Sequence, residues 1–427
     1  MSNIIFTNKC NISCPFCFAS ENNVKDEIAE TNNFNIEQVW RINNYLNSNS
    51  EFRFCGGEPT QNPEIIPAIS LLLSSKRRIF IMTNGIWPDD FLSYINLLPQ
   101  KFETKIRYLF NVLHPNFYKG KELEQIHQAL KIVNPCNTTI GFTVYNQNFD
   151  FDYIIDLAEL YNIKNIRWSV AAPNLSKKRK EIDEYFPELS GQVAKFIESA
   201  VRKGMKVTND CGYIPLCYYS EEQLSYLLQL PGIAIKSNCE GSPVDIDNKF
   251  NAWRCYGLYS LIQVPIDGFS NETELGKYFD RRIKILNNLE PYQKCNTCKF
   301  WQNSCGGGCY AIRIRKVLQK KPHICFFPID DDQEILHCIP ERIKELTIRE
   351  DNDIVRLYCN QTIIENPDEN KLVFLRAIDG RQTIQQLIEL WKSNFSSDEN
   401  TKKQVIQTCR ELFEKDFITI KYKYSLI

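Results

Sequence analysis

Residues 4–17 read IIFTNKCNISCPFC, and this stretch decides how the rest of the chain is read. An apolar run, Ile4–Thr7, leads into a polar loop that carries Cys10, Cys14 and Cys17 in the spacing C-x-x-x-C-x-x-C. Similar β-prone runs recur at Phe52–Cys55, Arg78–Thr83, Lys105–Val112, Thr138–Tyr145 and Asn165–Ala171. Between them lie amphipathic segments such as Ile36–Leu46 and Asp89–Leu98, whose apolar residues recur at helical spacing. Strands that alternate with helices predict a parallel sheet joined by right-handed crossovers. Six such units predict an α/β fold, an open, partial (β/α)6 TIM-like barrel. In such a fold the reactive groups gather at the C-terminal strand ends, which is where the three cysteines fall.

Composition narrows the chemistry. The formal charge is −1, so no global field draws the chain to nucleic acid or an anionic membrane. The N-terminal residues show no basic region followed by a long apolar run, and the most apolar stretch, Ile65–Leu73, is broken by Pro67 and too short to span a bilayer. A cytoplasmic location with no membrane partner is the expectation. Against that background 17 cysteines, an odd number, are anomalous. Disulfides rarely persist in reducing cytosol, so thiolate ligation of metal is expected. With only four histidines, the soft donors favour iron–sulfur clusters or zinc. Three thiolates can hold three irons of a [4Fe–4S] cluster and leave the fourth iron open.

About forty residues after the triad, residues 54–60 read FCGGEPT. Two glycines permit close backbone approach, and a carboxylate can bind an ammonium group. The third strand ends in MTNG, residues 82–85. With these motifs the first 170 or so residues resemble the radical S-adenosylmethionine (SAM) superfamily. The resemblance implies that Cys10, Cys14 and Cys17 hold a cluster whose open iron is chelated by SAM. It implies that Phe16 lies near the adenine, that Gly56, Gly57 and Glu58 face the SAM amino group, and that Asn111 and Asn146 contact the ribose or carboxylate. Read as residues alone, the two asparagines are equally turn formers. Cys55, on a buried strand, reads as a small apolar thiol, with a role near the radical as the alternative.

A second region, 174–339, opens with a charged helix, Lys177–Arg202, and then becomes rich in cysteine and turns. Cys295-x-x-Cys298 is followed after six residues by Cys305, three glycines and Cys309, then by Cys325; Cys239 and Cys255 stand upstream. Alone, such knuckles also suit structural zinc. The set resembles the SPASM extension, whose relatives bind two auxiliary [4Fe–4S] clusters. By that resemblance Cys295, Cys298, Cys305 and Cys325 hold an outer cluster. Cys239, Cys255 and Cys309 hold an inner one, completed by Cys217 or, as the alternative, Cys211. The pattern departs from the family at Phe250, where relatives carry glycine. Cys136, Cys338, Cys359 and Cys409 have no partner spacing and read as structural.

The third region, 340–427, reads as β runs, then helices at Lys371–Ile378, Thr383–Trp391 and Lys402–Lys415, then a β run, Phe417–Lys421. Asp379–Gly380 marks a turn and Thr383 an N-cap. This small α+β, winged-helix-like pattern resembles PqqD-like RiPP recognition elements, which bind a precursor-peptide leader by adding its strand to a sheet edge.

The resemblances together imply an enzyme with SAM and three [4Fe–4S] clusters that modifies a ribosomally made precursor peptide, reduced by a partner such as flavodoxin or ferredoxin. Two other readings are a maturase of a protein substrate of the sulfatase-maturing type and a non-catalytic iron–sulfur electron carrier or sensor. Tyr256 stands where the sulfatase-maturing subfamily has its aspartate, which weighs against the first. A carrier has no need of the carboxylate motif at Glu58, which weighs against the second.

Overall fold

The computed structural model describes residues 1–17, 19, 33–146, 149–171, 182–230, 235–239, 243–287, 292–301, 303–320, 326–344, 346–351, 354–359, 362–394 and 399–422. Cys325 and the first residues of the expected helix Lys177–Arg202 lie outside them. Two compact units are present, Met1–Gly276 with Thr297–Arg315, and Lys277–Asn296 with Lys316–Ile427.

The first unit is built on one ten-stranded sheet. Its strands are β1 (Ser2–Thr7), β2 (Phe52–Gly56), β3 (Ile79–Thr83), β4 (Ile106–Asn111), β5 (Thr138–Val144), β6 (Asn165–Val170), β7 (Lys206–Asn209), β8 (Val244–Ile246), β9 (Asn251–Trp253) and β10 (Val264–Pro265). Their order is β10-β9-β8-β1-β2-β3-β4-β5-β6-β7. From β8 through β7 every pairing is parallel, and β9 and β10 are antiparallel. The six strands expected from sequence are all present as an open α/β barrel segment. The structure adds β7 beside β6 and β8 beside β1. Both are too short, at four and three residues, to show a period of two in the sequence.

Side chains alternate across each strand. On β2, Phe52 and Phe54 are fully buried, while the alternating residues Arg53 and Cys55 are only partly covered. On β6, Ile166, Trp168 and Val170 are buried, and Arg167 and Ser169 occupy the other face. There Ser169 Oγ lies 2.9 Å from Thr143 Oγ1 of β5, and Arg167 pairs with Asp210. One face of the sheet is thus apolar and the other carries polar and charged groups. The turn from β8 to β9 places Phe250 at φ +62°, a left-handed conformation, at the position where glycine was the expectation. The ring is held there by Arg41, whose guanidinium carbon lies 3.9 Å from its centroid.

In the second unit, β11 (Cys338–Arg342) pairs antiparallel with β15 (Ile418–Tyr422). A three-stranded antiparallel sheet contains β12 (Thr347–Asp351), β13 (Ile354–Cys359) and β14 (Thr362–Glu365), with β13 central. Helices Glu369–Ala377, Ile384–Asn394 and Glu399–Glu414 bury Phe374, Leu375, Ile388, Cys409 and Leu412 in one core with Leu357, Cys359 and Cys338. The turn at Asp379–Gly380 forms, with Gly380 at φ +76° and Asp379 Oδ1 accepting Arg381 N at 2.8 Å. Thr383 Oγ1 accepts Gln386 N at 3.3 Å, and Gln386 Oε1 accepts Thr383 N at 2.9 Å, a reciprocal cap.

Candidate active site

The loop after β1 brings Cys10, Cys14 and Cys17 within electrostatic reach of one another, all three half-buried. Burial, followed by the neighbouring thiols, pushes Cys14 up to about 12; burial pushes Cys10 up to about 11. Three thiols in so close a group ionise only beside compensating positive charge, which iron supplies when they act as ligands. The donor set therefore fits the three-thiolate cluster expected from their spacing.

The loop is clasped by the end of β2. Thr7 O accepts Gly57 N, and Lys9 O accepts Glu58 N, each at 2.8 Å. A Cβ at Gly57 would lie 2.1 Å from Lys9 O, and one at Gly56 2.3 Å from Thr7 O. The two glycines are thus required by the cysteine loop itself. Glu58 is wholly buried. Its Oε1 accepts Thr60 Oγ1 at 2.8 Å, Thr83 Oγ1 at 2.9 Å and Thr60 N at 3.2 Å, and its Oε2 accepts Asn84 N at 2.7 Å. Burial raises the Glu58 pKa, and these donors oppose the rise. Asn84 then donates to Asn11 Oδ1 at 2.6 Å, and Asn11 donates to Ile86 O at 2.8 Å. Sequence reasoning noted residues 82–85 without giving Thr83 or Asn84 a task, and overlooked Asn11. Short amides in a loop carry no periodic signal.

Beside the loop, a cavity of about 250 Å³ is lined by Phe16, Thr143, Tyr145 and Asn146 among others. The Phe16 and Tyr145 rings are 5.0 Å apart. Asn146 Oδ1 is buried there without a hydrogen-bond partner, an acceptor that a ligand hydroxyl would satisfy. Asn111 ends β4 with its Oδ1 2.6 Å from where a Cβ of Gly141 would stand, so that glycine leaves room for it. An aromatic pair with an orphaned acceptor fits a nucleoside.

A second group of thiols joins Cys211, Cys239, Cys255 and Cys309. Burial raises all four, and Cys211 feels Cys309, Cys239 and Cys255. Of the two candidates for the fourth inner position, Cys211 lies beside these three thiols, and Cys217 is exposed on the turn Leu216–Tyr218. The reason lies in the backbone. Gly212, at φ +69°, turns so closely under β6 that a Cβ would lie 1.9 Å from Val170 O. Cys211 O accepts Val170 N at 3.0 Å, which fixes the cysteine at the strand end. Gly306 and Gly308 let the Cys309 loop settle against Asn238 and Tyr213, and Gly308 N donates to Ser237 O at 3.1 Å. Among the described residues no three His, Cys, Asp or Glu side chains close on a single ion.

Of the outer set, Cys298 and Cys305 lie in the first unit, Cys295 lies in the second, and Cys325 is outside the described residues. Tyr256 packs with Ile5, Ala19 and Trp253, and Cys17 and Cys55 lie against this cluster. Cys55 is half-buried, its thiol pushed up to about 12 by burial and then by Asp245. Cys338, Cys359 and Cys409 are buried, and Cys136 is exposed. No helix among the described residues is long and apolar enough to cross a membrane.

Comparison with known proteins agrees with this geometry. Residues 4–134 match the family described as the Radical SAM superfamily. The chain is 27% identical over 147 residues to 7,8-dihydro-6-hydroxymethylpterin dimethyltransferase of Methanocaldococcus jannaschii, a match covering 33% of this chain and 28% of that relative. The chain thus matches less than a third of that relative's length. Among solved structures, SuiB of Streptococcus suis bound to S-adenosylmethionine is similar with a TM-score of 0.50 and 14% identity, covering 74% of this chain and 73% of SuiB. The structure of anSMEcpe with bound AdoMet has a TM-score of 0.53 and 16% identity, covering 76% of this chain and 92% of that one. At such identities the likeness is one of fold. The three-cysteine loop, the strand order and the family match over residues 4–134 agree, and the α/β fold is the one these solved structures share.

Proposed function

We propose that this chain is a radical SAM enzyme that modifies a ribosomally made precursor peptide and carries two further [4Fe–4S] clusters. The observation that carries the reading is the joint arrangement of the braced Cys10, Cys14 and Cys17 loop and the adjoining Phe16–Tyr145 cavity with its orphaned Asn146 acceptor. Cys10, Cys14 and Cys17 would hold a cluster, and the chemistry it would supply there is the electron for reductive cleavage of SAM and hydrogen abstraction from substrate. The chain's own residues would position the reactants. Phe16 and Tyr145 would receive the adenine, Asn146 and Asn111 the ribose or carboxylate. Gly56 and Gly57 would bring the backbone to the amino group, and Glu58 would hold that corner in shape.

Cys211, Cys239, Cys255 and Cys309 are the proposed ligands of an inner auxiliary cluster. Cys295, Cys298, Cys305 and Cys325 remain the proposed outer set. The substrate class is supported by the second unit, in which a three-stranded sheet and three helices follow the pattern expected of a leader-binding element. A leader strand would add to the edge strand β14, where Ile363 is exposed.

The test is anaerobic. Iron and sulfide are counted, SAM cleavage is followed with dithionite, and peptides encoded beside the gene are examined by mass. About twelve irons, 5′-deoxyadenosine and a mass change in a peptide are the expected results. Cleavage of SAM with every such peptide unchanged would overturn the substrate class, and zinc in place of iron without cleavage would overturn the whole reading.

A further inference from the structure

At the opposite end of the strands from the cysteine loop, the first residues of β2 to β7 surround a separate cavity of about 340 Å³. Four cationic side chains line it, Arg53 of β2, Arg107 of β4, Arg167 of β6 and Lys206 of β7; the acidic residue on its wall is Glu51. Two of these cations are already paired. Arg107 Nη1 lies 3.1 and 3.3 Å from the two Glu51 carboxylate oxygens, and Arg167 is paired with Asp210. The other two are not. Among the described residues neither Arg53 nor Lys206 has a carboxylate within 4.0 Å, and Arg53 Nε is buried without a hydrogen-bond partner.

The surroundings of Arg53 sharpen the point. Its guanidinium lies over Phe80 at 5.0 Å, and Arg107 approaches the same ring at 5.1 Å, so two cations share one aromatic ring. Burial and then Arg167 act to discharge Arg53, and Glu51 and Asp210, both already engaged by other arginines, oppose them only in part. A guanidinium keeps its proton in proteins, so that unfavourable charge persists. Asp245 of β8 acts on it from a distance, but its Oδ1 is engaged by Asn3 Nδ2 at 2.8 Å and burial pushes its pKa up to about 7. A buried cation without a counterion is costly, and the cost disappears when an anion enters beside it. Lys206 is exposed on β7, so the unmet need is that of Arg53, whose Nε is buried without a partner. The paired arginines keep most of their N–H donors for the same ligand, and the Thr139 and Thr208 hydroxyls stand on the wall.

We propose that this cavity binds a small anion, a phosphate or a carboxylate, beside Arg53, with Arg107, Arg167 and Lys206 as flanking donors. The site is distinct from the radical centre and does not depend on the substrate assigned above. The cavity has the size of a small metabolite, and its cations come from four different strands, so an occupant would tie the sheet together at this end.

The experiment uses the full-length holoprotein. Its unfolding midpoint and calorimetric binding are measured with inorganic phosphate and with succinate, against potassium chloride at equal ionic strength. Saturable binding of either ion, with a rise in the midpoint, is the expected result, and the ion preferred identifies the headgroup. Arg53→Met should abolish the binding while raising the midpoint of the ion-free protein, since it removes the uncompensated charge. Lys206→Gln should weaken binding about tenfold with iron content and SAM cleavage unchanged. The proposal is overturned if neither ion binds saturably, or if both variants bind as the wild type does.

Discussion

Glu58 Oε2 accepts the backbone N–H of Asn84 at 2.7 Å in a place with no solvent access. That bond joins the end of β2 to the end of β3, and the Asn84 side chain then reaches the cysteine loop through Asn11. The carboxylate of the motif at residues 54–60 is therefore a brace for the thiols as well as a candidate cofactor contact. Replacing it tests both roles.

In Glu58→Gln an amide N–H2 must face the donors of Thr60, Thr83 or Asn84. A lost charge-assisted bond and a buried donor left unsatisfied together cost about 2–3 kcal/mol. Urea unfolding should show a loss of that order, and 5′-deoxyadenosine formation should fall steeply. Full SAM cleavage at reduced stability would assign Glu58 to bracing alone.

Cys211 and Cys217 are six positions apart; the first stands with Cys239, Cys255 and Cys309, and the second is exposed. Cys211→Ser should lose about four irons per chain while the SAM-cleaving cluster remains. Cys217→Ser should keep the full complement. Iron analysis with electron paramagnetic resonance separates the two, and the reverse pattern would restore Cys217 as the ligand.

Glu272, in the first unit, gathers donors from β1 and from the segment before β2. Its carboxylate accepts Ser50 Oγ at 2.6 Å, Ser2 Oγ at 3.0 Å and Asn47 N at 3.2 Å. Burial alone would raise its pKa, but the Ser50 hydroxyl, the Met1 amine at 3.2 Å and the Asn47 N–H outweigh it and hold it below the ordinary value of 4.5. A depressed carboxylate stabilises the fold above the unfolded value and ceases to do so as pH falls through the folded one. Glu272→Gln should therefore be less stable than the wild type by about 1–3 kcal/mol at pH 7. The gap should narrow as pH falls below 4.5, as urea unfolding at several pH values would show. A gap that widens in acid would contradict the assignment.

Ile363 of β14 is 57% exposed on a strand that pairs on one side with β13. If a leader peptide adds there, covering Ile363 contributes to its affinity. Ile363→Asp should weaken peptide binding about tenfold, the equivalent of burying one aliphatic side chain, with SAM cleavage in the absence of peptide unchanged. Fluorescence anisotropy of a labelled leader measures the first and chromatography the second. Unchanged affinity would move the docking strand away from β14.

Several of these features are legible in the chain itself. The cysteine spacing, the glycines before Glu58, the strand–helix alternation and the turn at Asp379–Gly380 depend on neighbours a few residues apart. Local geometry and hydrophobic period therefore reveal them. Phe250 is an instructive partial case. The substitution is visible as a departure from glycine, but the structure shows that the left-handed backbone is kept and that Arg41 covers the ring. Other features exist only through space. Cys211 lies beside the inner thiols because Gly212 turns under Val170, a contact between residues far apart in the chain. The four cations of the second cavity come from β2, β4, β6 and β7, each unremarkable on its own strand. The sequence by itself determined the ligand types and the class of fold, because these follow from spacing and period. The tertiary structure alone decided which thiols meet and which charges stay unpaired, because burial and Coulombic proximity are properties of the packed chain.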